Sequence, residues 1–272
     1  MVLESLINPQ KVNGKRWEMF FIGIIYSLIG AFLGFWVFKS HVSLVMVSFT
    51  AIVSVPFIHK SIELEDARNK RKKELFRFKQ HSKLISMFTF LFLGFVVTFV
   101  MLFVLLPETY VGQMFDSQID TINNVKNVTT GSFSNYLGSF STIIINNLQV
   151  LFFCIIFSFF YGAGAIFILS WNASVMGAAI GGVIRQGLSI GSGLHLIPIG
   201  FLSYFMHGIP EIVAYLVAGL AGGIVSVAII KDQFMSNAFK KSCFDSLLLV
   251  LVAVGVLIFA ALIEIFISPM LF

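Results

Sequence analysis

The string His207-Gly208-Ile209-Pro210-Glu211 sets an imidazole and a carboxyl four residues apart, around two residues that break helices. Arg185, Glu264, Asn146, Asn147 and Asn172 are the other polar groups set in apolar surroundings. Three chemistries suit this set. Arg185 and Glu211 are expected to form an ion pair, because charges at membrane depth are expensive and usually paired. His207, Glu211 and Glu264 reach the three protein ligands a catalytic zinc needs, so a metal is left open. The same groups could take a cation, a proton or a small polar solute. Bland readings stand beside these: His207 as a hydrogen-bonded packing residue, Asn147 and Asn172 as helix caps, Glu264 as a protonated or Arg-paired structural acid. No His-Glu-x-x-His, Gly-x-Ser-x-Gly or nucleotide-binding loop occurs, so no catalytic residue is assigned and no cofactor is expected.

These residues belong to a chain that cannot be a soluble globule. Of its 272 residues 58% are apolar, 11% are charged and 32 are Phe. The mean hydropathy is +0.95. Soluble domains carry roughly 25% charged residues, so a cytosolic enzyme, a disordered chain and a disulfide scaffold are all excluded. Cys154 and Cys243 are expected to stay unpaired and form no metal signature. The expected fold is all-α: a polytopic transmembrane helix bundle of about seven spans plus one half-helix or re-entrant segment. A span needs about 20 mostly apolar residues. The segments read as spans are Trp17 to Phe38, Val42 to Ile58, Leu84 to Leu106, Leu148 to Trp171, Asn172 to Ile190, Glu211 to Ile230 and Ser246 to Ile267. Leu194 to Met206 is too short to cross and reads as the half-helix or re-entrant piece, with Gly208 and Pro210 breaking the backbone after it. The chain divides into an N-terminal hairpin (1–58), a basic cytoplasmic segment (59–83) and a transmembrane core (84–272) with an outer loop at 107–147.

Charge sets the orientation. With a cytoplasmic N-terminus, fifteen of the eighteen Lys and Arg fall on the cytoplasmic side and two outside, with Arg185 inside a span. The C-terminus is then outside. The basic residues lie between spans, so nucleic acid is not an expected partner. Arg68, Lys70, Arg71, Lys72 and Lys73 fix topology and suit anionic lipid headgroups. Asn127-Val128-Thr129 matches a glycosylation acceptor pattern on the outer side, a weak signal.

Small residues recur at helical spacing in two neighbouring spans: Ala173, Gly177, Gly181 and Arg185 in one, Ala214, Ala218 and Gly222 in the other, with Gly219 and Gly223 adjacent. Such stripes let membrane helices pack closely, so these two are expected to face each other. That packing would carry Arg185 to Glu211, in the outer half of the bundle.

From Leu84 onward the sequence resembles the stage II sporulation protein M family of prokaryotic membrane proteins. The resemblance is carried by Asn146-Asn147, Trp171-Asn172 with Gly177, His207-Gly208-Ile209-Pro210-Glu211, the run Gly219 to Gly223, and Ile263-Glu264 ending in Ser268-Pro269. It implies a polar core of Asn147, Asn172, His207, Glu211 and Glu264. For the namesake it implies a membrane scaffold that holds peptidoglycan-degrading partners during engulfment. The first expectation is therefore a non-enzymatic scaffold or partner-recruiting component in the cytoplasmic membrane of a prokaryote. A transporter or channel component with an outward-facing polar site is the alternative, and an intramembrane metal-dependent hydrolase a second one. The partners expected are the bilayer, a membrane or extracytoplasmic protein, and further copies of the chain.

Overall fold

The computed structural model describes residues 16–38, 40–69, 78–130, 136–161, 164–189, 193–231 and 236–267. Within those ranges the side chains at 16, 59, 62–69, 78–81, 125–130, 136–139, 161, 193–205, 207 and 231 lie outside the description. The described residues are helical throughout, as apolar backbone in lipid requires: each N–H and C=O is satisfied within its own segment. The helices are α1 (Arg16–Val37), α2 (Val42–Asn69), α3 (Phe78–Leu105), α4 (Glu108–Met114), α5 (Asp116–Thr130), α6 (Tyr136–Tyr161), α7 (Ala165–Ser189), α8 (Gly193–Lys231) and α9 (Asn237–Phe266). Six of them are long and apolar enough to cross a membrane, and α2 contains the shorter apolar stretch Val42–Ile58.

Close approaches fix how the helices run. A Cβ on Gly23 would strike the Leu91 carbonyl, and one on Gly94 the Phe20 carbonyl, so α1 and α3 cross backbone to backbone; Trp17 against Phe90 and Ile24 against Thr98 set them parallel. Gly30 faces Thr50 and Gly34 faces Met46, which makes α2 antiparallel to α1. The reversal between them uses His41 at φ 59°, in the left-handed region. Gly177 receives Phe99 and Gly181 receives Phe103, which sets α7 parallel to α3. α8 packs on α6, α7 and α9.

Three expectations are corrected here. The chain turns between Tyr161 and Ala165, not at Trp171–Asn172. Gly164 is needed at that turn because a Cβ there would run into the Phe157 carbonyl, and the Ser158 hydroxyl accepts the Ala165 N–H at 3.2 Å. Asn172 imitates a boundary in sequence, yet its amide donates to the Ile168 carbonyl one turn back at 2.8 Å, so α7 runs straight through it. Gly208 and Pro210 do not break the backbone either. α8 is a single helix from Gly193 to Lys231, and Leu194 to Met206 is its first part, with the candidate span beginning at Gly208. In a membrane helix, neighbouring helices and local adjustment re-satisfy the carbonyl a proline leaves free. Finally, α7 and α8 do pack on each other, with Gly208 against Met176 and Gly219 against Ala165, but Gly177 and Gly181 are not on the shared face. Those two are holes for the Phe rings of α3, while Gly219 and Gly222 of α8 meet Ala165, Ile155 and Ser158.

The stretch read as an outer loop is largely helical. Pro107 starts α4, and the chain doubles back so that Phe115 packs edge-on against Phe99 and Phe103, with ring centroids 6.3 and 5.2 Å apart. Phe115 and Gln118 are fully buried. α5 then lies along α7, leaving a cavity of about 230 Å³ between them.

Candidate functional site

On α6 the buried face reads Asn147, Leu151, Cys154 and Ser158, one residue per turn. On α8 the matching row is Glu211, Tyr215, Gly219 and Gly222. The two helices run parallel: Asn147 meets Glu211, and Ser158 meets Gly219 and Gly222. At the Gly222 end the backbones touch, because a Cβ there would hit the Ile155 carbonyl. At the other end the larger polar side chains occupy the interface.

Asn147 donates its amide Nδ2–H to Glu211 Oε1 at 2.6 Å. Asn147 is itself 6% exposed, and Tyr215, one turn after Glu211, is 2% exposed. Antiparallel α9 closes the group. The Ser246 hydroxyl donates to the Ala221 carbonyl at 2.9 Å, and the buried row Leu249, Ala253, Leu257 and Ala260 leads up to Glu264. Glu264 lies within electrostatic reach of both Glu211 and Tyr215, and Cys154 within reach of Tyr215. Asn147 and Glu211 thus touch, and a second carboxyl and a thiol stand in electrostatic reach of the Tyr215 phenol where α6, α8 and α9 pack together. The Asn147 amide is a neutral donor to one oxygen of the Glu211 carboxyl.

Arg185 is elsewhere. Its guanidinium donates Nη2–H to the Leu106 carbonyl at 2.8 Å, and Arg185 and Glu211 form no ion pair. The helix register explains the correction. Gly177 sits on Phe99 and Gly181 on Phe103, so one further turn carries Arg185 to the end of α3. There the last carbonyls lack helical partners and form the negative end of the dipole. Asn146 is exposed and, among the described residues, reaches the Asn147 Oδ1 at 3.5 Å. Asn172 bonds within α7, away from the carboxyl group. Gly223 is buried within α8.

His207 lies one turn before Glu211 on α8, but its side chain lies outside the described residues, as do those of Arg68 and the Asn127-Val128-Thr129 pattern; Lys70, Arg71, Lys72 and Lys73 lie outside them altogether. Among the described residues no three His, Cys, Asp or Glu groups come together as a metal cradle. Sequence reasoning missed Cys154 as a neighbour of Tyr215, and Asp245, which is 9% exposed two turns into α9. It also missed Gln118. Only the phase of Cys154 relative to Asn147, two turns apart on one helix face, could have signalled it.

The arrangement of α6, α8 and α9 holds most of the residues on which the resemblance was read. The family model for stage II sporulation protein M matches residues 20–269. The chain belongs to that family. The match begins well ahead of Leu84, so α1 and α2 belong to the family's extent as much as the later helices do. An uncharacterized protein of Methanocaldococcus jannaschii is 27% identical over 158 residues, covering 55% of this chain and 84% of that protein. No solved structure matches. Membership and helix composition together make the chain an integral, polytopic membrane protein.

Proposed function

We propose that the chain is a transport component of a prokaryotic cytoplasmic membrane, in which Glu211 and Glu264 hold and pass a proton. The observation that carries this reading is the Glu211 carboxyl, set in a membrane span and bonded at 2.6 Å to the uncharged amide of Asn147. Ionisable groups in a span are costly and mark ion pathways and proton relays. Asn147 fixes one oxygen of Glu211, and the carboxyl takes or releases the proton. Glu264, on the neighbouring helix, is the second station. The proton exchanged is the same one on either carboxyl, so the relay needs no co-reactant.

The positive-inside count supports an N-terminus in the cytoplasm. With that orientation and seven crossings, Asn147, Glu211 and Glu264 fall in the outer half of the bundle, on the side of α4 and α5. The site then faces the outer medium.

The test is proton uptake into vesicles containing the purified chain, followed with a trapped pH-sensitive dye under an imposed potential. Uptake well above that of empty vesicles is expected from the wild type, with a loss of at least tenfold in Glu211→Gln and in Glu264→Gln. Circular dichroism and unfolding midpoints of the variants must stay close to wild type for that loss to count. Unchanged uptake in both folded variants would overturn the relay. The scaffold role implied for the family's namesake would then gain ground.

A further inference from the structure

Two glutamines of this chain meet opposite surroundings. Gln118 of α5 is fully buried, and its Nε2 group donates to the Ser174 hydroxyl of α7 at 3.0 Å and to the Ser43 carbonyl of α2 at 3.4 Å. The Ser43 and Ser117 hydroxyls beside it are 2.8 Å apart. Gln149 of α6 is exposed, and its amide bonds to none of the described residues. Yet Gln149 lies well inside the candidate span Phe140–Phe160, about 13 Å from its start at 1.5 Å per residue. An amide facing lipid at that depth lacks the water that would satisfy it, and polar side chains in spans hydrogen-bond across helices. α6 is also the least covered of the six candidate spans: 22% of it is buried, against 39–72% for the others.

The spacing around Gln149 indicates what covers it. Thr142, Ile145, Gln149, Phe152 and Ile156 follow at alternating steps of three and four residues, the spacing of a coiled-coil seam. All five are exposed or half-buried. At 3.6 residues per turn they lie on the side of α6 opposite the buried row from Asn147 to Ser158 that packs on α8. No residue from Tyr136 to Tyr161 is charged, so nothing on this face repels an identical face or calls for a partner of opposite charge. Copies of one chain share their orientation in a membrane, so a two-fold axis between them runs along the membrane normal and sets one α6 parallel to the other. Residues on the seam then meet their own counterparts at the same depth. An amide carries both donor and acceptor, so two copies of Gln149 can exchange a pair of hydrogen bonds across the axis. One amide in a mainly apolar seam fixes register and oligomeric state in coiled coils.

We infer that α6 is the contact of a parallel dimer of this chain within the membrane, with Gln149 of each copy bonded to its counterpart. The contact does not depend on the Glu211–Glu264 relay, because Glu211 packs on the other side of α6. Cys154 is buried and Cys243 is half-buried, so a maleimide dye attaches at Cys243. Full-length chains carrying donor or acceptor dye are mixed in detergent and reconstituted into phosphatidylcholine vesicles at a series of protein-to-lipid ratios. From the wild type, energy transfer above that of monomers placed at random at the same density is expected, falling as lipid dilutes the protein. In Gln149→Leu the protein density at half-maximal transfer is expected to rise at least fivefold. Phe32→Ala, on the exposed side of α1, is expected to stay within twofold of the wild type. Transfer no greater than random in the wild type overturns the inference. So does an unchanged density in folded Gln149→Leu, or an equal loss in Phe32→Ala. If Gln149→Leu does not fold, Ile145→Ala takes its place, with at least a twofold rise expected and an unchanged density overturning the contact.

Discussion

The centre around Glu211 and the centre around Gln118 are built from opposite materials. The first gathers two carboxyls, a phenol and a thiol from α6, α8 and α9, with an amide as the donor to Glu211. The second gathers hydroxyls, a backbone carbonyl and an amide from α2, α5 and α7. They also sit differently on glycine. The first lies at the open end of a helix pair drawn together by Gly219 and Gly222. The second lies where a short helix folds back into the bundle behind Phe115. Charge is costly enough in a membrane to require a rigid frame, whereas neutral polar groups can be carried on an inserted hairpin.

The contrast also decides what the sequence could reveal. Glu211 and Glu264 stand out because a charge in an apolar run has few innocent explanations, and both meet in one place. Arg185 stands out for the same reason, yet its partner is a backbone carbonyl, and carbonyls are invisible to charge pairing. Most of the seven apolar segments fall within single helices, because some twenty apolar residues in lipid leave the backbone no other choice. The boundary between α6 and α7 was misplaced because hydropathy is continuous from Leu148 to Ser170. The turn there depends on Gly164 approaching Phe157, a tertiary fact. Gln118 was illegible for a similar reason. A glutamine in a polar stretch looks solvated, and only the return of Phe115 onto Phe99 and Phe103 buries it.

The largest test of the contrast is Gly222→Leu. Its side chain would meet the Ile155 carbonyl and the Ser158 side chain, so α6 and α8 must separate. Overpacking of this kind costs about 3 kcal/mol or somewhat more. The separation should break the Asn147–Glu211 bond and leave the Gln118 centre in place. A low unfolding midpoint, with amide hydrogen exchange around Gln118 as slow as in the wild type, is the expected pair of results. Faster exchange around Gln118 as well would mean that the two centres share one framework.

Asn147→Leu is next. It keeps the number and branching of the side-chain heavy atoms but removes the donor to Glu211 Oε1, leaving a buried acceptor unmatched. Such losses cost about 1–3 kcal/mol, toward the upper end when the orphaned group is a carboxyl. Urea or SDS unfolding of the purified protein would measure it. A change below about 0.5 kcal/mol would place that bond among the weakest made in membranes.

The smallest effect is expected at Ser174. Its hydroxyl donates to the Trp171 carbonyl at 2.7 Å and accepts from Gln118. Ser174→Ala removes both contacts, but the Trp171 carbonyl keeps its helical partner, and Gln118 can still donate to the Ser43 carbonyl. Interhelical hydrogen bonds in membranes average about 0.6 kcal/mol, so the loss should be near that value. It should fall well below that of Asn147→Leu measured in the same detergent, because no charge is left without a partner. Equal losses would show that a neutral hydroxyl and a carboxylate partner are held equally tightly, and the division of this bundle into a charged and a neutral centre would fail as a statement about energy.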